Sequence, residues 1–217
     1  MSKSTCMCML PGRKYFCYGN YADYSYSGLS LLIDSQFNVK KLSDGIPCHC
    51  SGGTYLRGCI YVFGGYNHKG LLSLAEKYTI STDSWSKLSQ LPEPSDYCSC
   101  IAFGEKIILS GNMHSKLYSY DPLLNSYDEL FSLTPVRSKV LCGANSRLFI
   151  IESSGRIYES AIKDLRVWEH LWEASIVRFS PLSCAVTHDE SIFFALSNNQ
   201  VYRFDIAKKS IEEYSVI

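Results

Sequence analysis

The sequence lacks the features that mark several large classes of protein. Its 217 residues include 21 Lys and Arg and 21 Asp and Glu, so no excess of one charge would attract nucleic acid or an acidic membrane surface. No apolar run approaches the roughly 18 residues of a membrane-spanning helix. Residues 1–11 contain one Lys and no apolar stretch of signal-peptide length. We therefore expect a cytoplasmic protein with no membrane and no nucleic-acid partner.

The motifs of common catalytic and metal sites are also missing. Neither the glycine-rich phosphate loops, nor the G-x-S-x-G elbow of hydrolases, nor the H-E-x-x-H pair of zinc enzymes occurs. The histidines do not have the Cys/His spacing of a zinc site. Several carboxylates stand at predicted turns, where hydrogen bonding to the turn explains them. The sequence accordingly predicts no catalytic residue, no metal and no cofactor.

The main positive feature is an internal repeat. An aromatic or apolar anchor recurs at steps of 46, 42, 41 and 46 residues. Each interval contains four short apolar runs separated by turn residues, which indicates four strands per unit. A period of roughly 40–50 residues is typical of repeat architectures built from one supersecondary unit. The anchors are Val39, Trp85, Tyr127, Trp168 and Tyr214.

The second unit resembles a kelch repeat. Its strand Ile60-Tyr61-Val62-Phe63 ends in a double glycine and is followed by a Tyr and a Trp at the spacing of that family. The third unit keeps the Tyr-Asp-Pro turn, and the other units match more weakly. The residues that carry the motif are Gly64, Gly65, Tyr78, Trp85, Gly111, Tyr120, Tyr127 and Trp168.

The resemblance implies an all-β fold, namely a β-propeller of about five four-stranded antiparallel kelch-type blades. A single blade cannot bury its apolar faces alone, so the blades must stack on one another. We therefore expect one domain over residues 1–217. The expected blades are 1–45, 46–91, 95–132, 137–172 and 181–217.

A series of cysteines follows the same period. Cys8, Cys50, Cys100, Cys142 and Cys184 fall on the predicted first strands of the units, which would lie nearest the channel of a propeller. A crowded inner strand favours small apolar side chains, and Cys behaves as one. The alternative is a thiolate metal or redox site in the channel. The cysteines of the first three units form C-x-C pairs (Cys6/Cys8, Cys48/Cys50 and Cys98/Cys100), and that spacing is not the one of structural zinc.

The Pro47–Ser51 segment is the predicted first strand of the second unit. On a strand, His49 would point away from Cys48 and Cys50. That geometry argues against joint ligation of a metal by these three side chains.

Two long loops are the candidates for binding a partner. Antiparallel order places the loop after each second strand, and the loops between blades, on one face. Residues 19–27 and 66–71 on that face combine Tyr with Asn and Ser, the composition of adaptable binding loops. Ordinary solvated connectors are the alternative interpretation. The predicted partner-binding residues are Asn20, Tyr21, Asp23, Tyr24, Tyr26, Tyr66, Asn67, His68 and His114.

The resemblance implies a non-enzymatic interaction module or scaffold that binds a protein or peptide through its loop face. Similar propellers serve as substrate receptors or cytoskeletal binders. One alternative is an oxidase-type enzyme built on a kelch-like propeller. Another is an incomplete propeller with no site of its own.

Overall fold

The computed structural model describes residues 6–22, 25–112, 114–133, 139–144, 146–161, 164–173, 182–196 and 200–214. Regular structure in these ranges consists of β-strands. Within the same ranges, no helix is long and apolar enough to cross a membrane. The strands are rich in Tyr, Phe, Val and Ile, the side chains that suit a pleated, half-buried surface.

Five four-stranded antiparallel sheets account for all but two of the strands in the described ranges. The first sheet contains β1 Cys6–Leu10, β2 Lys14–Ala22, β3 Ser25–Ile33 and β4 Val39–Lys41. The second contains β5 Gly52–Leu56, β6 Cys59–Phe63, β9 Ala75–Thr79 and β10 Ser84–Lys87, with the short strands β7 Tyr66–Asn67 and β8 Gly70–Leu71 inserted between β6 and β9. The third contains β11 Ser99–Phe103, β12 Lys106–Ser110, β13 Lys116–Asp121 and β14 Ser126–Ser132. The fourth contains β15 Lys139–Ala144, β16 Arg147–Glu152, β17 Arg156–Ala161 and β18 Glu169–Glu173. The fifth contains β19 Leu182–His188, β20 Ser191–Leu196, β21 Val201–Asp205 and β22 Ser210–Tyr214.

The prediction of all-β architecture with five four-stranded antiparallel units is thus confirmed. The strand predicted at 47–51 is wrong, because the first strand of the second sheet begins at Gly52. Two backbone features prevent a regular strand at the predicted place. Cys50 has a positive φ of 58°, and His49 forms an isolated bridge with Tyr66 instead of a ladder.

The chain divides into two compact units, Met1–Gly111 with Tyr120–Asp128, and Asn112–Ser119 with Glu129–Ile217. In the first unit, a ring-rich core lies between the first and second sheets. The Trp85 ring centroid lies 4.9 Å from that of Tyr18 and 5.2 Å from that of Tyr78. This tryptophan is therefore wedged between two blades, as large amphipathic rings can be.

Polar atoms at the rim of this core tie the ring side chains to the chain of the neighbouring sheet. The Trp85 indole Nε1 donates to the carbonyl of Ser43 at 2.9 Å. The Tyr78 hydroxyl donates to Asp83 Oδ1 at 2.6 Å, and the same oxygen accepts the Ser43 N–H at 2.9 Å. The Trp85 indole and the Asp83 carboxylate therefore bind the C=O and the N–H of the same residue, Ser43.

The same arrangement recurs one repeat later. Tyr127, at the position of Trp85, donates its hydroxyl to the carbonyl of Ser89 at 2.9 Å. Asn125 Oδ1 accepts both the Tyr120 hydroxyl and the Ser89 N–H at 2.8 Å. The Tyr and Trp positions of the repeat thus carry specific hydrogen bonds as well as apolar area.

The second unit has a core of a different composition. Aliphatic and phenylalanine side chains of the fourth and fifth sheets meet there, among them the fully buried Phe149, Ile151, Ile192 and Phe204. Trp168 lies just before β18, where its indole Nε1 donates locally to the Leu165 carbonyl. The indole of Trp168 therefore makes its hydrogen bond within its own turn.

The double glycine of the second sheet is required by its surroundings. Gly64 has φ 65° and Gly65 has φ 121°. A Cβ on Gly64 would overlap the carbonyl oxygen of Ser95 and lie 2.6 Å from the sulfur of Cys98. Only glycine combines this backbone conformation with such close approach. The pair therefore lets the loops at this end of the sheet pack closely.

Candidate functional site

A short hairpin projects from the second sheet beyond the double glycine. Its strands β7 and β8 pair Tyr66 with Leu71 and Asn67 with Gly70. The Asn67 side chain donates to the Pro47 carbonyl at 3.2 Å, and its Oδ1 accepts the Lys69 N–H at 2.9 Å. Asn67 is buried, and its side-chain hydrogen bonds stabilise the hairpin. The sequence instead predicts it among the partner contacts.

His49 attaches this hairpin to the segment between the first and second sheets. Its N–H donates to the carbonyl of Tyr66 at 3.1 Å, and the Tyr66 N–H donates back to the His49 carbonyl at 2.8 Å. The ring Nδ1 lies 3.0 Å from the same Tyr66 carbonyl. A carbonyl can only accept, so Nδ1 carries the hydrogen in this contact.

Four rings gather around this attachment, and we call them the ring cluster: Tyr26, His49, Tyr66 and His68. The Tyr26 centroid lies 5.4 Å from His49, 6.5 Å from Tyr66 and 6.4 Å from His68. His49 and Tyr66 meet edge to face with centroids 5.7 Å apart. Aromatic groups at these distances and angles attract one another beyond the area they bury. The cluster is thus pre-assembled, with His49 buried beside the more exposed rings of Tyr26, Tyr66 and His68.

The cluster continues into neighbouring exposed side chains. Tyr66 is 39% exposed, and His68 and Leu71 on the same hairpin are also exposed. Tyr97 is 53% exposed, and its N–H donates to the carbonyl of Cys50, the residue after His49. Large side chains held in place by backbone hydrogen bonds provide contact area at a small entropic cost. These features favour a binding surface.

The structure gathers some of the predicted partner-binding residues and not others. Tyr26, Tyr66 and His68 come together in the ring cluster. Asn20 and Tyr21 lie on β2, where Tyr21 pairs with Tyr26. His114 belongs to the second unit, where its carbonyl accepts the Lys139 ammonium at 2.6 Å. The predictions at Asp23 and Tyr24 fall outside the described residues.

Sequence reasoning missed two members of this surface. The residue pattern predicts His49 on a regular strand, and Tyr97 at the start of the following one. Both lie in the connections between sheets, and both contacts are made across long sequence separations. The available signal was the run of turn-forming residues before Tyr97, where Pro92, Pro94 and Ser95 predict a loop with exposed side chains.

No three or more His, Cys, Asp or Glu side chains in the described ranges are arranged to hold a metal ion. Burial raises the pKa of the Cys8 and Cys98 thiols to about 12 and that of Cys48 to about 11. These thiols are therefore protonated at neutral pH, whereas the thiolate is the form that attacks electrophiles or binds metals.

The solved structure of YjhT shares this arrangement. The two chains align with a TM-score of 0.72 over 89% of this chain and 72% of the other, at 15% sequence identity. Identity at this level supports the fold alone. Together with the five four-stranded sheets, the likeness makes the chain a β-propeller.

Sequence comparison then identifies one of the repeats. Residues 47–92, which include the second sheet and the hairpin, match the model of the kelch motif. The chain is also similar to alpha-scruin of Limulus polyphemus, with 33% identity over 93 residues that cover 36% of this chain. The match spans only about a tenth of that relative's length, since it covers 10% of it. Residues 47–92 therefore form a kelch repeat, as the motif residues predicted.

Proposed function

We propose that this kelch propeller is a non-enzymatic interaction module that binds a protein or peptide through the ring cluster and its neighbours Leu71 and Tyr97. The observation that carries the proposal is the cluster itself. Its rings come from β3, from the segment before β5 and from the β7–β8 hairpin, and hydrogen bonds across 17 residues of sequence join His49 to Tyr66. A rigid scaffold that presents clustered aromatic side chains on loops is a common design for recognition.

The composition of the surface supports a protein or peptide as the partner class. Tyr and His present both an apolar face and a polar edge, so they can pack against side chains and hydrogen-bond to a backbone. Lys69 is the charged residue of the hairpin, and the chain as a whole has no net charge. Contact through rings, rather than bulk electrostatics, would therefore select the partner. A role as substrate receptor or cytoskeletal binder, in the cytoplasm, is the finer form of this proposal.

The carboxylates of the repeats support a structural role in place of a catalytic one. Asp83 accepts the Tyr78 hydroxyl and the Ser43 N–H. Asp121 accepts the backbone N–H groups of Leu123 and Leu124 in its turn. Groups committed to such bonds are not placed as a converging acid–base pair.

Selection of a random peptide library on the wild-type protein tests the proposal. Peptides selected on the wild type should lose most of their affinity for Tyr66→Ser, because a ring at the centre of an interface commonly contributes 2 kcal/mol or more, about thirtyfold. Leu123→Ser is the matched control, since it removes an exposed apolar side chain in a distant turn of the chain. Equal binding by wild type and Tyr66→Ser would refute the assignment of this surface.

A further inference from the structure

The β7–β8 hairpin has an open edge along β8. In an antiparallel ladder, the N–H and C=O of one residue point to the same side of its strand. Both groups of Tyr66 bond to His49, so they point away from β8. Leu71, directly opposite Tyr66, is therefore its non-hydrogen-bonded partner, and the Leu71 N–H and C=O point away from β7.

The residue after Leu71 confirms this direction. The Leu72 N–H donates to the Gly65 carbonyl at 2.9 Å, across the hairpin. The Leu72 carbonyl accepts the Ser95 N–H at 3.1 Å, so it is already in use. No residue in the described part of the chain bonds to the N–H or C=O of Leu71. The open edge is therefore confined to Leu71.

The surroundings of this edge are accessible. Leu71 is 51% exposed, and a Cβ added to Gly70 would meet nothing within 4 Å beyond its two chain neighbours. Backbone donors and acceptors at an exposed edge are a template for another strand. An incoming strand therefore has room to approach β8 from the side opposite β7.

The edge also lacks the usual protection against pairing. Natural proteins commonly place charged side chains on exposed edge strands. The last strand of each four-stranded sheet follows this rule, with Lys40 and Lys41 on β4, Lys87 on β10, Asp128 and Glu129 on β14, Glu169 and Glu173 on β18, and Glu212 and Glu213 on β22. The strand β8 consists of Gly70 and Leu71, and neither is charged. It is thus better suited than those five strands to accept a partner.

The side chains beside this edge include two rings of the ring cluster. His49, Tyr66 and Leu71 form one row, because each is directly opposite the next. Directly opposite residues of an antiparallel pair have their side chains on the same face. A residue paired with Leu71 would extend this row by one position. Its side chain would therefore lie beside Leu71, on the face of the hairpin that carries Tyr66.

We propose that the protein or peptide partner binds as an extended segment that adds to β8 as a further strand, through hydrogen bonds to the Leu71 N–H and C=O. The inference rests on the proposed function for the class of ligand and adds how that ligand is held. In strand addition, main-chain hydrogen bonds supply affinity and neighbouring side chains supply specificity. The peptide residue opposite Leu71 should be apolar or aromatic, because it continues the row of Tyr66 and Leu71.

Two variants of Leu71 test the backbone contact, with peptides selected from a random library on the wild type as the probes. Leu71→Pro removes the N–H that would donate to the peptide, whereas Leu71→Ala shortens the side chain and keeps that N–H. Proline is compatible with an edge strand where the N–H faces outward. Leu71→Pro should bind about tenfold more weakly than Leu71→Ala, the effect of losing about one hydrogen bond. Fluorescence anisotropy measures the affinities, and circular dichroism verifies that both variants fold.

Amide hydrogen exchange of the wild type, followed by NMR, gives a second readout that needs no substitution. The Leu71 N–H faces away from β7, so it should exchange at least about tenfold more slowly when the peptide is saturating. The Leu72 N–H is the internal control, because its bond to Gly65 is present with and without the peptide.

The outcomes separate this inference from the proposed function. Loss of affinity for Tyr66→Ser together with protection of the Leu71 amide supports both. An unprotected Leu71 amide in a complex that depends on Tyr66 overturns strand addition and leaves the proposed function intact. Equal binding by Leu71→Pro and Leu71→Ala does the same. Peptides that bind Tyr66→Ser as tightly as the wild type, but protect the Leu71 amide, overturn the ring cluster as the binding surface and support strand addition.

Discussion

The contact between the first and second sheets differs in chemistry from the contact between the fourth and fifth. The first is built on rings with hydrogen-bonded polar groups: the Trp85 indole donates to Ser43 just after the preceding sheet, and the Tyr78 hydroxyl donates to Asp83, which in turn accepts the Ser43 N–H. The second is mainly aliphatic and phenylalanine, as at Ile151 and Phe204. Many apolar side chains of similar size can fill a core, whereas a hydrogen-bonded ring tolerates few replacements. The difference explains why the kelch motif is recognisable at 47–92 and fades towards the end of the chain.

The largest expected effect compares the two tryptophans. Trp85→Ala should lower the free energy of unfolding by about 3–5 kcal/mol, because it removes three ring contacts and a hydrogen bond to Ser43. Trp168→Ala should cost less, about 1–3 kcal/mol, since its indole bond is local and its main ring contact is Phe131. Urea denaturation measures both. An equal loss of unfolding free energy in both variants would mean that Trp85 and Trp168 contribute equally to stability.

A smaller effect is expected at the double glycine. Gly64→Ala should destabilise the protein by about 2–3 kcal/mol, because the methyl group meets the Ser95 carbonyl at a positive φ. Gly58→Ala is the control, with a φ of 79° and no atom within 4 Å of the added Cβ, and should cost about 1 kcal/mol. Thermal unfolding compares the two. A similar loss for both variants would show that conformation alone, and not close packing, requires glycine at 64.

The smallest expected effect within one pH unit is pH-dependent and concerns the second unit. Lys139 and Glu152 are buried and directly opposite each other on β15 and β16. Glu152 Oε1 has no hydrogen-bond partner among the described residues. Burial lowers the pKa of Lys139 to about 8 and raises that of Glu152. In the first unit, the buried Glu76 is also directly opposite a lysine, Lys87, but that lysine is exposed.

The sign of the Lys139 effect follows from proton binding. Between about pH 8 and its ordinary pKa of 10.5, the unfolded state holds more protons on this lysine than the folded state, so its contribution to stability rises with pH. We compare Glu152→Gln with Glu152→Gln/Lys139→Met. As pH rises, the free energy of unfolding of Glu152→Gln should increase relative to that of Glu152→Gln/Lys139→Met by up to about 1.4 kcal/mol per pH unit. This increase should start at or below pH 8, because without the Glu152 carboxylate nothing on that side raises the lysine pKa. Parallel stability curves would exclude a buried, neutral lysine.

The fold was largely predictable from the sequence, and the site was predictable only in part. Alternation and turn residues identify five units of four strands because they are local signals. These local signals did not predict the position of β5. The alternation at 47–51 predicts a strand there, but the isolated bridge between His49 and Tyr66 and the positive φ of Cys50 are incompatible with one. Tyr26, Tyr66 and His68 were predictable from loop composition. His49 and Tyr97 were not, because contacts between distant segments bring the buried His49 ring into the cluster and join Tyr97 to Cys50.

The buried thiols of the first unit make it a natural reporter of its own opening. Cys8, Cys48 and Cys98 are both shielded from solvent and protonated, so a maleimide can react with them only after their sheets separate. The rate of alkylation under native conditions then measures how often this part of the chain opens, without any added label. A cell that exposed the protein to electrophiles or peroxide would modify the opened molecules first, so damage at these cysteines would record loss of structure rather than cause it.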